Sequence, residues 1–500
     1  MNSDVKGSWE QIDPHLLIST RLDYFLNFSL IIATQMSEES LLPLAAHIRA
    51  AGIPLMCVRS CGLLGVLRVQ VGEHFVMEKA REEKSFLCLS QPFPALRSLV
   101  DSLGEAPLKL EVLASTPPTL LLMKALDIWR ASLGGNRDAD AARIPSFSED
   151  GALKATLRSL IPSELTPEEK GAAVAHTLEG CRYISRLRAE GCPKWTKAIL
   201  EEGGGSRSQS EWNSHFWLVI RALRAFVAAH DGRLPLSGVL EDMEATSKAY
   251  TALERVYREQ AAKDNTWVED KVAEELGGAE PPPPGFIAQI TRNSRFIALL
   301  RWGSLEEELS GGDMVEAWRE VLEELSTVPA AFGAAPVEEG GEMDDEKERR
   351  EREGKILQAS CHPALWYLVI RAADKLQHQK QQQFSSPGAS YTSAAGGTTA
   401  AGVGRGVTDP EELWNSVKVL ASQLNLPLPH PHVFSSRHAA EVVRFWGAEM
   451  HSMAAFMGGA AAQEAIKLLT HQFVPTRLMV WSGVGGFGWA GALPPVLGGF

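Results

Sequence analysis

The amino-acid sequence predicts an α/β fold interrupted by a long helical stretch, and three observations carry that prediction. Strand, helix and strand signals follow one another between residues 30 and 58. The strand signal then fades from about Pro107 to Ala440, and it returns between Phe473 and Trp481. Five hundred residues exceed one ordinary core, so two or more domains are expected.

Leu30-Ile31-Ile32-Ala33 is a continuous apolar run, as in a strand buried on both faces. Glu38 to Ala51 places Leu41, Leu42, Leu44, Ala45 and Ile48 at helical spacing, and Gly52 ends that helix as a left-handed cap. Ile53 to Val58 is a second apolar strand, which makes one βαβ unit. Gly62 to Val71 leads into a third strand through Val66, Arg68, Val69, Gln70 and Val71. Beyond Pro107, Phe216 to His230 and Leu365 to His378 each carry an apolar helical stripe. Leu218–Ala222 recurs as Leu368–Ala372, a weak sign of duplication that shared helix composition explains equally well. Stretches near 203–210, 335–354 and 377–406 are rich in Gly, charge, or Gln, Ser and Thr, and read as disordered surface insertions. Pro281–Gly285 is a short stiff break. Glu449 to Thr470 is a helix dense in Ala and Gly, and each Gly costs about 1 kcal/mol there. Something must approach it closely. Phe473-Val474 and Leu478–Trp481 then give strand signals.

Net charge of −13 argues against a nucleic-acid-binding surface, which needs clustered Lys and Arg. Six irregularly spaced Cys form no disulfide framework and no zinc-ligand pattern. No apolar run reaches the roughly 18 residues of a membrane span, and residues 1–20 hold no signal-peptide core, so a cytoplasmic and nuclear chain is expected.

The motifs of independent catalysis are missing. No Walker A loop is present, and no GxGxxG lies between a strand and a helix. Gly402, Gly404 and Gly406 sit in low-complexity sequence, and Gly483–Gly486 reads as a C-terminal loop. His430-Pro431-His432 reads as a loop rather than a metal pair, and Cys361-His362 as a helix boundary before Pro363. No G-x-S-x-G elbow occurs. The expectation is no catalytic residue, no bound cofactor and no metal in this chain.

Phe456-Met457-Gly458-Gly459-Ala460-Ala461-Ala462-Gln463-Glu464-Ala465-Ile466-Lys467, with Thr470, Gln472, Phe473 and Val474, resembles the late helix and strand of adenylation domains in the ubiquitin-activating enzyme superfamily. Gly62–Arg68, Glu73-His74 and Pro92–Arg97 are similar to one branch, the regulatory subunit of the neddylation-activating enzyme. So are Phe216-Trp217, Arg221–Leu223, Leu234-Pro235, Asp242-Met243, Val256–Glu259, Asn293-Ser294 and Ser304-Leu305. The resemblance implies an incomplete Rossmann-like adenylation-type domain interrupted by a large all-α insertion: 1–106 and 441–500 in the α/β domain, 107–440 in the insertion. Members of the family carry further strands and a glycine-loop position before the stretch matching Asn2–Val5, so the first strands are expected to be missing here.

The family further implies a heterodimer. Its catalytic subunit binds ATP and magnesium, adenylates the ubiquitin-like modifier and forms its thioester, upstream of cullin neddylation, while the regulatory subunit scaffolds it. By the same resemblance, partner contacts fall on Asp242, Met243, Ala249, Tyr250, Leu253, Glu254 and Arg255, and on Ser115. Two other readings stay open: a fragment of a single-chain modifier-adenylating enzyme, and a helical adaptor without an enzyme partner.

Overall fold

The computed structural model describes residues 5–78, 86–133, 143–203, 211–328, 344–384, 406–484 and 486–490. It is mixed α/β, with many helices and seven strands among the described residues: β1 Ile31–Thr34, β2 Leu55–Cys61, β3 Leu64–Gln70, β4 Glu73–Val76, β5 Ala298–Arg301, β6 Leu478–Ser482 and β7 Phe487–Ala490. The chain divides into two compact units. Of the described residues, one holds 5–76, 211–213, 299–328, 344–384, 406–484 and 486–490; the other holds 77–78, 86–133, 143–203 and 214–298.

The first unit is built on a five-stranded sheet of order β1-β2-β3-β6-β7. Helix Glu38–Ala50 connects β1 to β2, which run parallel with Ile31 opposite Leu55. Ser37 caps this helix by accepting from the Ser40 amide, Glu38 and Glu39 occupy its positive end, and Gly52 follows it at φ 74°. Leu41, Leu44, Ala45 and Ile48 are buried, the stripe its spacing predicts. Every other pair in the sheet is antiparallel. β2 turns into β3 through Gly62 and Leu63, β3 pairs with β6, and β6 with β7. Gly486, at φ 73°, turns the β6–β7 hairpin. β4 and β5 form a separate two-stranded sheet.

Phe473-Val474 is not a strand. Phe473 sits at φ 61° and Pro475 follows, so the ladder starts only at Leu478. Within 335–354 and 377–406, residues 344–354 and 377–384 are helical, in helices Asp344–Ser360 and Pro363–Phe384. Dense Glu, Lys and Arg favour a helix wherever oppositely charged neighbours recur at its period. The rest of those stretches, 335–343 and 385–405, lies outside the described residues, as does 204–210.

Residues 299–328, 344–384 and 406–440 of the helical stretch pack in the sheet-bearing unit. The core of that unit joins Val66 and Val480 of the sheet to Trp318, Trp366, Leu368, Leu413, Val417 and Val442 of its helices. The second unit's described elements are helices, apart from the first residue of β5. Its core gathers around helix Pro118–Ser132, with Leu153, Leu157, Leu187, Leu253 and Tyr257. The echo between Leu218–Ala222 and Leu368–Ala372 has a packing reason. Both segments lie in helices buried nearly all round, one in each unit. Such helices converge on the same apolar composition.

Helix His451–Thr470 packs on β2 and β3. Met453, Met457, Ala461, Glu464 and Leu468 face inward. A Cβ on Gly65 would stand 2.6 Å from Met457 Cγ, so the strand is bare where the methionine crosses it. Gly65→Val should therefore overpack this contact and destabilise the unit by about 1–3 kcal/mol. A urea midpoint equal to that of the unchanged chain would show that Met457 does not rest on Gly65.

Candidate functional site

Arg68 stands in β3, all seven residues of which are buried. With no water to solvate it, its charge must be met by the protein. Arg68 Nε donates to Glu308 Oε2 at 3.0 Å, and Nη2 also meets that oxygen. Nη1 donates to Glu38 Oε1 at 3.0 Å and to the Tyr367 hydroxyl at 2.8 Å. Arg371 Nε reaches the other oxygen of Glu38 at 3.1 Å. Arg477, just before β6, donates to Glu308 Oε1 at 2.5 Å and holds Asp313 at 2.7 and 3.0 Å. Three arginines and three carboxylates thus tie the sheet to helices Glu38–Ala50, Leu305–Ser310, Asp313–Thr327 and Pro363–Phe384. Burial alone would push the Glu38 carboxyl up, but Arg68 and Arg371 outweigh it and hold it below the usual range. Arg477 likewise holds Asp313 down. In sequence, Arg68 is one position of a strand otherwise read from its apolar residues. An arginine flanked by Val66, Leu67 and Val69 was the available signal that carboxylates must converge there.

A second buried group lies beneath helix His451–Thr470. The ring of His471, its left-handed C-cap, stacks on Phe75 at 4.0 Å and on His74 at 4.6 Å. His471 Nδ1 donates to the Phe75 carbonyl at 2.9 Å. His74 is 3% exposed, and its Nε2 has no hydrogen-bond partner among the described residues. Burial lowers the pKa of both rings, and His471 lowers that of His74 further. Burial also disfavours the thiolate of two cysteines, pushing Cys57 up to about 12 and Cys61 up to about 11. Among the described residues, no group of three or more His, Cys, Asp or Glu is placed to hold a metal ion. No described helix is long and apolar enough to cross a membrane.

The outer face of helix His451–Thr470 is bare. A Cβ on Gly458 or Gly459 would meet nothing within 4 Å, and Phe456, Ile466 and Leu469 are 42%, 53% and 55% exposed. The close neighbour expected at the glycines of this helix is therefore not found among the described residues; the close approach is instead at Gly65 of β3, beneath Met457, and the helix glycines look outward.

The residues expected to meet a partner lie in the second unit. Asp242 is exposed, and Met243 Sδ accepts from the Thr119 hydroxyl at 3.6 Å. That hydroxyl starts helix Pro118–Ser132, four residues past Ser115, whose own hydroxyl donates to the Val112 carbonyl at 3.1 Å. Helix Ser247–Leu276 carries the others. The Ala249 amide donates to the Thr246 cap at 3.4 Å, and the Tyr250 hydroxyl donates to the Leu240 carbonyl at 3.2 Å. Glu254 pairs with Arg258 at 2.7 Å and Arg255 with Glu259 at 3.8 Å, both one turn apart on the exposed side. Leu253 is 1% exposed, because its helix buries it with Tyr257. It belongs to the core and is not available on this surface.

No family model matches the chain. Curated relatives match it along most of its length. The chain is 27% identical over 482 residues to the Nedd8-activating enzyme E1 regulatory subunit of Drosophila melanogaster, covering 95% of this chain and 77% of that protein. It is 28% identical over 483 residues to the regulatory subunit of Xenopus laevis, covering 95% and 79%. It is 26% identical over 485 residues to the regulatory subunit AXR1 of Arabidopsis thaliana, covering 95% and 77%.

Two outcomes are expected from the buried groups. Arg68→Met leaves carboxylates uncompensated in the core and should cost about 3–5 kcal/mol in urea unfolding. Arg444→Met, which removes a pair whose arginine is 64% exposed, should leave the midpoint in place; equal effects would refute the distinction. Burial makes His74 and His471 harder to protonate in the folded chain than in the unfolded one, where a histidine ionises near pH 6.5. Their contribution is intact above that pH and shrinks as pH falls below it, because the unfolded chain binds more protons. The loss of stability from pH 7.5 to 5.5 should be shallower in His74→Phe, and an unaltered slope would rule the pair out as its source.

Proposed function

We propose, on the premise that this chain belongs to the family of NEDD8-activating enzyme E1 regulatory subunits, that it works as the non-catalytic half of a heterodimeric activating enzyme. One observation carries this reading: the likeness to regulatory subunits of an insect, a frog and a plant runs through 95% of the chain. The partners are then the catalytic subunit and the modifier NEDD8. ATP and magnesium belong to the catalytic subunit, which adenylates the modifier and forms its thioester ahead of cullin neddylation. This chain scaffolds that subunit in the cytoplasm and nucleus.

On the same reading, the sheet-bearing unit contains a Rossmann-like adenylation-type domain, and the helical unit lies within its insertion. The bare face of helix His451–Thr470 supports a scaffolding role. Backbone exposed at Gly458 and Gly459, flanked by Phe456 and Ile466, suits close packing of another subunit better than contact with water. Asp242, Met243, Ala249, Tyr250, Glu254, Arg255 and Ser115 make a second contact region.

The reading is tested by ATP–pyrophosphate exchange with purified NEDD8 and the catalytic subunit of a NEDD8-activating enzyme. Exchange should require both chains. Exchange by this chain alone would make it a single-chain adenylating enzyme. A catalytic subunit equally active with and without it would make it an adaptor of another kind.

A further inference from the structure

The helical unit carries a cleft beside the residues of that second contact region. Residues 233–246 cross its surface as a strap without helix or strand. The strap is latched from below. Asp264, 2% exposed, accepts from Arg233 Nη1 and Nη2 at 2.6 and 2.9 Å, from the Leu236 amide at 3.0 Å and from Gln260 Nε2 at 2.8 Å. Further along, the Tyr250 hydroxyl holds the Leu240 carbonyl, and Arg186 pairs with Glu241. Gly238, at φ 74°, brings the strap so close to helix Ser247–Leu276 that a Cβ there would stand 3.0 Å from that of Ala261. The backbone is therefore in place before any ligand arrives, and its ordering entropy is not charged to binding.

Beside the strap lies a cleft of about 370 Å³, lined by Ser237, Gly238, Val239, Arg258, Ala261 and Arg292 among others. Two features give it a chemistry. Arg258 is neutralised by Glu254 at 2.7 Å, whereas Arg292, exposed at the end of helix Phe286–Arg292, meets no acidic group among the described residues. One positive charge is left over on the wall. The amides of Ser237, Gly238 and Leu240 also donate to no acceptor among the described residues, although Leu240 is only 8% exposed. Val239, between them, is 44% exposed.

We propose that this cleft docks an extended acidic segment of a partner protein. A carboxylate of that segment pairs with Arg292, its main-chain carbonyls accept from the unpaired strap amides, and an apolar side chain covers Val239. Complementary charge selects the ligand: the chain carries a net charge of −13, so an unpaired arginine on a cleft wall is a local exception to its overall sign. The proposal does not depend on the regulatory-subunit reading.

The test titrates the full chain into the fluorescein-labelled peptide Glu-Val-Asp-Val-Glu and its Gln/Asn counterpart, followed by fluorescence anisotropy at low and high salt. The acidic peptide should bind, the amide peptide much more weakly, and salt should weaken the former. Arg292→Glu and Val239→Asp, both at exposed positions, should weaken binding by about tenfold or more. Lys170→Glu, on an exposed helix face of the same unit, should leave it unchanged. Equal binding of the two peptides, indifference to Arg292→Glu, or tighter binding of oligothymidylate than of the acidic peptide would each overturn the proposal.

Discussion

Arg68 occupies the middle of a strand with no solvent on either face, and the layout of the sheet-bearing unit follows from the groups that compensate it. Glu38 comes from the helix after β1, Glu308 from a two-turn helix after β5, and Tyr367 from the long helix that begins at Pro363. Arg477 then ties the approach to β6 into the same cluster through Glu308. Segments far apart in sequence are thereby brought to one point. An error in any of them would leave a buried charge unpaired, at a cost of several kcal/mol. Apolar packing supplies the bulk of the stabilisation, but it tolerates sliding. The bidentate geometry of the arginines does not.

This constraint explains what was legible beforehand and what was not. The β1–helix–β2 unit was readable because its signals are local: a doubly buried apolar run, a capped amphipathic helix and a left-handed Gly52. Helix His451–Thr470 was readable from its small residues. The antiparallel run from β2 through β7 was not, since pairing direction depends on turns at Gly62 and Gly486 and on partners more than 400 residues apart. Nor was the return of residues 299–328, 344–384 and 406–440 to the sheet-bearing unit, because Glu308, Tyr367 and Arg371 look like ordinary helix residues until Arg68 is placed among them. Among the expected contact residues, composition could not separate Leu253, which faces the core, from Tyr250, which is tethered at its hydroxyl and half-buried.

The two faces of helix His451–Thr470 differ in what meets them. Inward, Met457 fills the space that Gly65 leaves, and Glu464 accepts from the Thr476 amide at 2.7 Å, closing the turn toward β6. Outward, the helix spends two glycines on a surface that nothing in this chain covers among the described residues. Glycine in a helix interior is destabilising, so its placement on the outer face is consistent with an obligate subunit whose surface is completed by another chain. In the helical unit a strap is fixed at several points, by buried Asp264, by the Tyr250 hydroxyl and by Arg186.

The central claim is that this chain is one half of a heterodimer. Sedimentation velocity of the chain mixed with the catalytic subunit of a NEDD8-activating enzyme tests it most directly. The account predicts a single 1:1 species, lost when Gly458 and Gly459 are both replaced by Glu while the chain's own unfolding midpoint is retained. Two independently sedimenting proteins at micromolar concentration, or a complex indifferent to those replacements, would contradict it.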